Sequence, residues 1–455
     1  MSYPTPQPVL FEDVFSRPVH GIFDDTELSS DGGLVLLKAL DCGLGLTERL
    51  GNLLPDERQA TKVVHPYLDQ FRQRVFCLAA GYADCNDAAK LAPDPVLKEC
   101  CGREALEGHD LASQPTLSRF ENIFPGRTFV ALARKLEDIV IARHKKRLGS
   151  RARKIVIDLD PTDDSTHGQQ AFSFFNTHYG GWCFLPLLGF LSFNDEPDHY
   201  LFLARLRPGK ATARRGAFPV LRRIVRKLKA AFPRAQIHVR LDGGFAAPDT
   251  FEILEELGVE YVVGMGKNSK LKAFAEPSME RARGKQKRSG ETERVYTSVR
   301  YRARSWNRSR RVVVKSEVTV LPDRDPRDNP RFVVTNMAGR AQDLYRFYGG
   351  RGDSENRIKE MKDLDLGRTS CESFLANQLR VLITATAYVL YQELRLRAKR
   401  TDLGRAQVRT LREQLVKIAA RVVVSIRRIV LHFPSHSPWK ETWRRIALAS
   451  GAASP

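Results

Sequence analysis

The chain has 455 residues, with 74 Lys and Arg against 53 Asp and Glu and a formal net charge of +21. That length supports two or three domains with substantial cores, and the basic excess favours a polyanionic partner, nucleic acid first. No stretch reads as a membrane span, because the most apolar run, Val381 to Leu390, is short and preceded by Arg380. The start, Met1-Ser2-Tyr3-Pro4, is neither basic nor apolar, so no secretory signal is expected. Seven cysteines, an odd number without a C-x-x-C pair, argue against a zinc site or a disulfide framework and fit a reducing compartment.

Residues 1–150 read as mostly helical. Ser29, Ser30 and Asp31 precede a helix carrying Leu34, Leu36, Leu37 and Leu40, and a second helix runs from Tyr67 to Ala80 and stops at Gly81. Ser113-Gln114-Pro115 marks a further helix start, and a long amphipathic helix from about Thr128 ends in the basic run Arg143 to Arg147. Several short helices with scattered Arg and Lys suit a DNA-binding domain and suit a structural helical subdomain nearly as well.

From 151 the pattern changes. Lys154 to Asp160 alternates as a strand with Ile155, Ile157 and Leu159 on one face. Strands are expected over Trp182 to Ser192 and Tyr200 to Arg207. A basic amphipathic helix follows over Arg214 to Phe232, then a strand from Gln236 to Asp242 that runs into glycines. A helix from Ala247 to Leu257 and a fifth strand from Tyr261 to Met265 complete the series. Three strands, helix, strand, helix, strand and a later helix is the element order of a ribonuclease-H-like α/β core. A β-rich insertion is expected over 267–336, opening with a loop-like basic run from Arg281 to Arg288 and followed by strands at Val295 to Arg304, Arg311 to Leu321 and Arg331 to Thr335. The core resumes over 337–400 with a long apolar helix, Phe374 to Leu396. The basic region 401–455 holds a charged helix, Thr401 to Lys417, and a strand or hairpin, Arg421 to Phe433.

The stretch Tyr348 to Lys362 carries the chemistry. In a helix, Tyr348, Arg351, Glu355 and Lys362 share one face at spacings of three, four and seven, while Ile358, Met361 and Leu364 form a separate apolar stripe. Gly349, Gly350 and Gly352 disfavour helix, so the regular helix is expected to begin near Asp353 or Ser354, leaving Tyr348 and Arg351 on a tight entry loop. Two further acids stand at strand ends, Asp160 before Pro161 and Asp242 before two glycines. In the expected core the two strands are neighbours and the helix packs beside them, so Asp160, Asp242 and Glu355 converge. Converged carboxylates need cations, and hard oxygen donors select Mg²⁺ or Mn²⁺, two ions in the arrangement that activates a nucleophile and stabilises a leaving oxygen on a DNA phosphodiester. Asp158 shares a strand face with Asp160 and remains its rival. Each acid alone also has an ordinary reading as a turn residue.

Tyr348, Arg351, Glu355 and Lys362 resemble, position for position, the Y-R-E-K motif of the DDE transposases of bacterial insertion sequences, the IS-four superfamily. Asp158 to Gly168, Arg240-Leu241-Asp242-Gly243-Gly244-Phe245 and Ser113 to Asn122 resemble its IS-thirteen-eighty group. The resemblance covers nearly the whole chain. It implies a ribonuclease-H-like catalytic domain with a β insertion before the glutamate, metal-dependent cleavage at the ends of the element, and joining of the 3′-hydroxyl to target DNA. It implies that Asp160, Asp242 and Glu355 are the catalytic metal ligands, and that Tyr348, Arg351 and Lys362 contact DNA phosphates, with Arg240 a further DNA contact. Some relatives hold a flipped base on an inserted aromatic residue; Trp306, beside Arg304 and Arg308, is the candidate, against the ordinary reading that it packs a β-hairpin. The partners implied are double-stranded DNA, as terminal inverted repeats and target, and a second copy in a synaptic homodimer, in the bacterial cytoplasm at the nucleoid. A catalytically inactive DNA-binding derivative and a ribonuclease-H-like nuclease of repair or recombination are the alternative readings.

Overall fold

The computed structural model describes residues 9–11, 16–367 and 369–453. It divides into two compact units, one made of the described residues up to Thr47 with Asp56–Phe120 and Glu393 onward, the other of Glu48–Pro55 and Glu121–Gln392.

The first unit is mainly helical. Helices Leu34–Leu44, Tyr67–Ala80 and Pro95–Cys101 pack together, and each stops at a glycine in the left-handed region, Gly45, Gly81 and Gly102. Gly32 and Gly33 donate backbone hydrogen bonds to Ile418 and Val416. The C-terminal segment thus folds against the start of the chain: a hairpin of Ala420–Ser425 and Arg428–His432 pairs with Leu28–Ser29. The hairpin matches the reading of Arg421 to Phe433. The expected helix from Thr401 is shorter, because helical structure begins only at Val408 and ends in a π-helical turn, Arg412–Val416.

The second unit is built on a nine-stranded mixed sheet. Its strands are β1 (Lys154–Pro161), β2 (Leu187–Phe193), β3 (Tyr200–Arg205), β4 (Gln236–Leu241), β5 (Glu260–Met265), β6 (Glu293–Tyr301), β7 (Arg310–Leu321), β8 (Arg324–Asp328) and β9 (Arg331–Thr335). The order across the sheet is β6-β7-β9-β5-β4-β1-β2-β3, with β8 paired to β7. Strands β1, β4 and β5 run parallel, and the other pairings are antiparallel. All seven residues of β2 are buried, as a strand covered on both faces requires. The expected strand Trp182 to Ser192 is divided at Leu185 and Pro186, since proline supplies no N–H to a ladder; Gly181–Phe184 joins a separate small sheet with Asp164–Ser165 and Phe174–Asn176.

Helix α1 (Gly126–Leu148) packs on β3, and α2 (Ala217–Ala231) and α3 (Pro248–Glu256) are the crossovers that keep β4 and β5 parallel. Helix α2 buries Val220, Leu221, Ile224, Val225 and Leu228 and turns its cations outward, where Arg223 and Lys227 pair with Glu137 of α1 and Arg222 with Glu256 of α3. The edge strand β3 is protected by the long helix Phe374–Ala398: Leu206 and Leu201 donate their N–H groups to Gln378 and Gln392.

The basic run Arg281 to Arg288 is not a loop but lies within helix α4 (Ser269–Ser289). Asn268 caps it by accepting from the N–H of Leu271 at 2.9 Å, and Leu271, Ala275, Ser278, Met279 and Ala282 bury a continuous stripe against β6 and β7. The arginines and lysines are the solvated side of that stripe. The strands that follow extend the core sheet through the β9–β5 pairing rather than forming a sheet of their own.

Inside the sheet, Asp158 of β1 and Arg240 of β4 are register partners and form a two-pronged ion pair at 2.7 and 2.8 Å, with Asp158 fully buried. Arg240 also donates to the carbonyl of Phe347 at 3.0 Å and contacts His199 Nε2 at 3.1 Å. Removing one member of such a pair strands the other's charge in the core. We expect Arg240→Ala to lower the unfolding free energy by ~3–5 kcal/mol, and the double change Asp158→Leu with Arg240→Met to lose much less, in urea titrations. Equal losses in the single and double variants would show that the pair does not matter in this way.

Candidate active site

Parallel register sets Arg240 opposite Asp158 and Leu241 opposite Leu159, so the next residues, Asp242 and Asp160, leave the same end of adjacent strands side by side. Asp242 opens a tight turn, Gly243–Phe245, and its Oδ1 accepts from the N–H of Gly244 at 2.9 Å. Asp158 and Asp160 share a strand face, but their fates differ. Asp158 is consumed by Arg240, whereas Asp160 accepts from Arg351 Nη1 at 2.7 Å and from the Ser354 hydroxyl at 3.3 Å.

The third acid arrives on a pair of helices, α5 (Ala341–Gly349) and α6 (Gly352–Lys362). The entry loop expected for Tyr348 and Arg351 is instead nearly continuous helix. Gly350 and Arg351 both hold right-handed dihedrals, and the N–H of Ser354 bonds to the carbonyl of Arg351 at 2.9 Å. Packing overrides the poor helix propensity of the glycines here. At one of them glycine is required: a Cβ on Gly350 would stand 2.5 Å from Arg240 Nη1. Gly264 of β5 is a second close approach, because a Cβ there would collide with the hydroxyl of Tyr348. Ile358, Met361 and Leu364 are buried as the apolar stripe requires.

Arg351 is the hub of the result. One guanidinium nitrogen binds Asp160, and another binds Glu355 Oε1 at 3.0 Å. Asp160 is buried while the Glu355 side chain is 55% exposed, so the strand acid is fixed and the helix acid is accessible. Burial pushes the Asp160 carboxyl up to about 7; Arg351 opposes this, and the negative charges of Asp242 and Glu355 add to it. Asp242 is raised for the same first reason, burial, against Arg351 and the amides of Gly244 and Phe245. Asp160 therefore lies in the field of Asp242 and Glu355, and Arg351 lies in the field of all three acids. Among the described residues no group of three or more His, Cys, Asp or Glu side chains is gathered closely enough to hold a metal ion; the cation between Asp160 and Glu355 is the Arg351 guanidinium.

Lys362 lies about two turns beyond Glu355 on α6 and bonds Asp163 Oδ1 at 2.8 Å. Two expected DNA contacts are not brought to the site. Arg240 is 5% exposed and spent on Asp158, Phe347 and His199. Trp306 is 4% exposed, its ring 5.1 Å from Phe251 and 5.5 Å from Tyr301 with Arg310 over it, so the gain from burying an indole among aromatics decides its place. Sequence reading missed Ser354, which supports both Asp160 and Arg351, and also Tyr179 and His178. Burial raises the Tyr179 phenol to about 12, with the charges of Asp163, Asp160 and Asp242 contributing, and His178 acts on Asp242. No local motif marks these residues. Ser354 is placed by α6, and His178 and Tyr179 by the turn between Phe174–Asn176 and Gly181–Phe184.

A mixed α/β fold of this kind is compatible with a DDE transposase. Over residues 11–450 the chain matches the family described as transposase DDE domain group 1, and it belongs to that family. No curated protein matches it. Membership carries a transposition enzyme acting on DNA, in a family that generally uses divalent metal ions. Among the described residues no helix is long and apolar enough to cross a membrane.

Asp164, beside the site, tests the electrostatics apart from the central acids. It is fully buried, accepts from Thr369 at 2.7 Å through Oδ2, and has no partner at Oδ1 among the described residues. Burial raises it from 3.8 to about 7. A raised carboxyl contributes stability that is fully present below its unfolded value and lost as pH rises through its folded value. Asp164→Asn should therefore gain on the wild type between pH 3.8 and about 7, by ~2–4 kcal/mol at the top of that window in metal-free urea titrations. A pH-independent difference would refute the shift.

Proposed function

We propose that this protein cuts DNA at the ends of its own insertion sequence and joins the freed 3′-hydroxyl to target DNA. The observation that carries the reading is that a strand-end acid, Asp160, and a helix acid, Glu355, bond one arginine, while Asp242 leaves the adjacent strand end within that arginine's field. The sheet supports a ribonuclease-H-like reading: β3-β2-β1-β4-β5 run side by side, with β1, β4 and β5 parallel and β2 antiparallel. The spacing of Tyr348, Arg351, Glu355 and Lys362 on successive helices supports the Y-R-E-K motif and, with the stretches after Asp158 and Arg240, the IS-thirteen-eighty group of the IS-four superfamily.

The donor set fits a divalent cation. It offers only carboxylate oxygens; burial raises Asp160 and Asp242, and the charges of Asp242 and Glu355 add to the rise at Asp160, which a hard cation relieves. In this reading Asp160, Asp242 and Glu355 hold Mg²⁺ or Mn²⁺, two ions in all, which would supply charge stabilisation at the phosphate and a more acidic nucleophile. Arg351 holds Asp160 and Glu355 in place of that charge. A DNA phosphate offers its guanidinium a two-pronged partner of equal strength, which frees the carboxylates. Tyr348 and Lys362 flank it as phosphate contacts that fix register without reading sequence. Two ends must be held together, so the working form is a homodimer on paired inverted repeats, at the nucleoid.

The test is cleavage of a plasmid carrying the gene with its native flanking DNA, in Mg²⁺, Mn²⁺ or EDTA. The expected outcome is metal-dependent cutting at both ends, reduced at least ~10³-fold in Asp242→Asn, the loss of several kcal/mol of charge stabilisation, with end binding retained. A second readout is thermal: Mn²⁺ should raise the melting temperature of the wild type and not of Asp242→Asn. Tight end binding with no cutting in any metal would instead describe an inactive DNA-binding protein.

A further inference from the structure

The C-terminal hairpin of the first unit ends in a side chain that neither packing nor turn chemistry explains. Its strands, Ala420–Ser425 and Arg428–His432, pair in register from Arg421 with His432 to Ser425 with Arg428, so Ile426 and Arg427 alone make the turn. The base is anchored. Ala420 and Val422 are buried, and the ring of Phe433 lies 4.9 Å from Trp443 of the helix Lys440–Ala449. The far half stands clear, with every residue from Ser425 to Ile429 exposed. Ile426, at the tip, is 106% exposed, as open as in an unfolded chain.

Two-residue turns favour Asn, Asp and Gly, which take a left-handed φ with little strain, and neither Ile426 nor Arg427 is among the residues that hold one. A β-branched side chain therefore gains nothing from this turn, and in water it gains nothing from its surroundings. The turn is held by its flanks instead, where the Ser425 hydroxyl donates to the carbonyl of Arg428 at 3.0 Å. The result is a paired ribbon with an aliphatic point.

Charge says what the point meets. Between Ile418 and Ala449 six Arg and Lys residues stand against a single acid, Glu441. Arg421 is paired with Asp25 at 3.1 Å. Arg427, Arg428, Arg444 and Arg445 are exposed, and among the described residues their side chains have no hydrogen-bond or ion-pair partner. A protein partner would have to bring acids to these arginines and a socket for one isoleucine. A duplex brings both at once, as phosphates along its grooves and a base-pair stack that an aliphatic wedge opens. The ribbon holds no Asn or Gln to read base edges in the major groove, which favours the minor groove.

We propose that this hairpin is a DNA wedge: Ile426 enters the minor groove and parts a base step, Arg427 and Arg428 hold phosphates on either side, and the duplex kinks. The proposal rests on the transposase reading for the identity of the DNA, and it adds a deformation of that DNA made by the first unit, apart from the acids of the second.

The experiment measures bend angle by end-to-end energy transfer in a doubly labelled duplex taken from the DNA that borders the gene, bound by the full chain. Wild type should kink it by ~20–90°, Ile426→Leu should keep most of the kink, and Ile426→Ala should lose about half of it or more. The slope of log affinity against log salt should stay unchanged in Ile426→Ala and become shallower by about 1 to 2 in the double variant Arg427→Gln, Arg428→Gln. An unchanged kink in Ile426→Ala would overturn the wedge. So would a change of oligomeric state in that variant without DNA, which would make the tip a contact between copies. Plasmid cleavage separates the two readings. Metal-dependent cutting by the wild type with no Ile426-dependent kink leaves the transposase and removes the wedge. An Ile426-dependent kink without any cutting keeps the wedge and removes the cleavage reading.

Discussion

The buried pair between Asp158 and Arg240 is the constraint on which the site depends. It lies one register step inside the strand ends, so it fixes how Asp160 and Asp242 emerge relative to each other. The same guanidinium bonds the carbonyl of Phe347 and sits against Gly350, so it also seats the junction from which Arg351 and Glu355 project. One interior ion pair thereby aligns two strands and two helices. A hydrophobic pair of equal volume would hold the strands together, but it would not anchor the helical junction, which needs a donor for a free carbonyl at the end of α5.

Outside that anchor the charges are deliberately unequal in environment. Asp160 is enclosed and Glu355 is open, with Arg351 spanning both. A fully enclosed trio would repel itself apart or take up protons. A fully exposed one would be screened by water and hold a cation weakly. Placing one acid on a strand end and another on a solvent-facing helix, with a tethered cation between them, leaves an arrangement in which only the helix-borne carboxylate has freedom to adjust. Ser354 contributes by bonding both Asp160 and the carbonyl of Arg351, which ties the first turn of α6 to the strand.

Much of this was legible in the sequence because it is periodic. The alternation of Lys154 to Asp160, the amphipathic α2 and the glycine stop after Tyr67–Ala80 are local signals that tertiary packing merely reinforces. The glycines between Tyr348 and Glu355 argue for a loop in sequence, yet the segment is nearly continuous helix, and Gly350 clears the guanidinium of Arg240 rather than breaking it. What was not legible is non-local. Arg281 to Arg288 looks like a loop when its charges are counted and becomes a helix once the stripe from Leu271 to Ala282 finds β6 and β7. The union of the C-terminal hairpin with Leu28–Ser29 joins residues far apart in the chain, which no window of sequence reveals.

The two tryptophans make the same point about chemistry. Trp306 lies beside Arg304 and Arg308, which makes it a candidate to hold a base, yet the ring is buried between Phe251, Tyr301 and Arg310, in keeping with the ordinary packing reading. Trp182 opens the expected strand Trp182 to Ser192, yet Pro186 interrupts that strand and the indole stands on a separate small sheet, 59% exposed. Hydrophobic context in sequence and exposure in the fold are thus reversed by one proline.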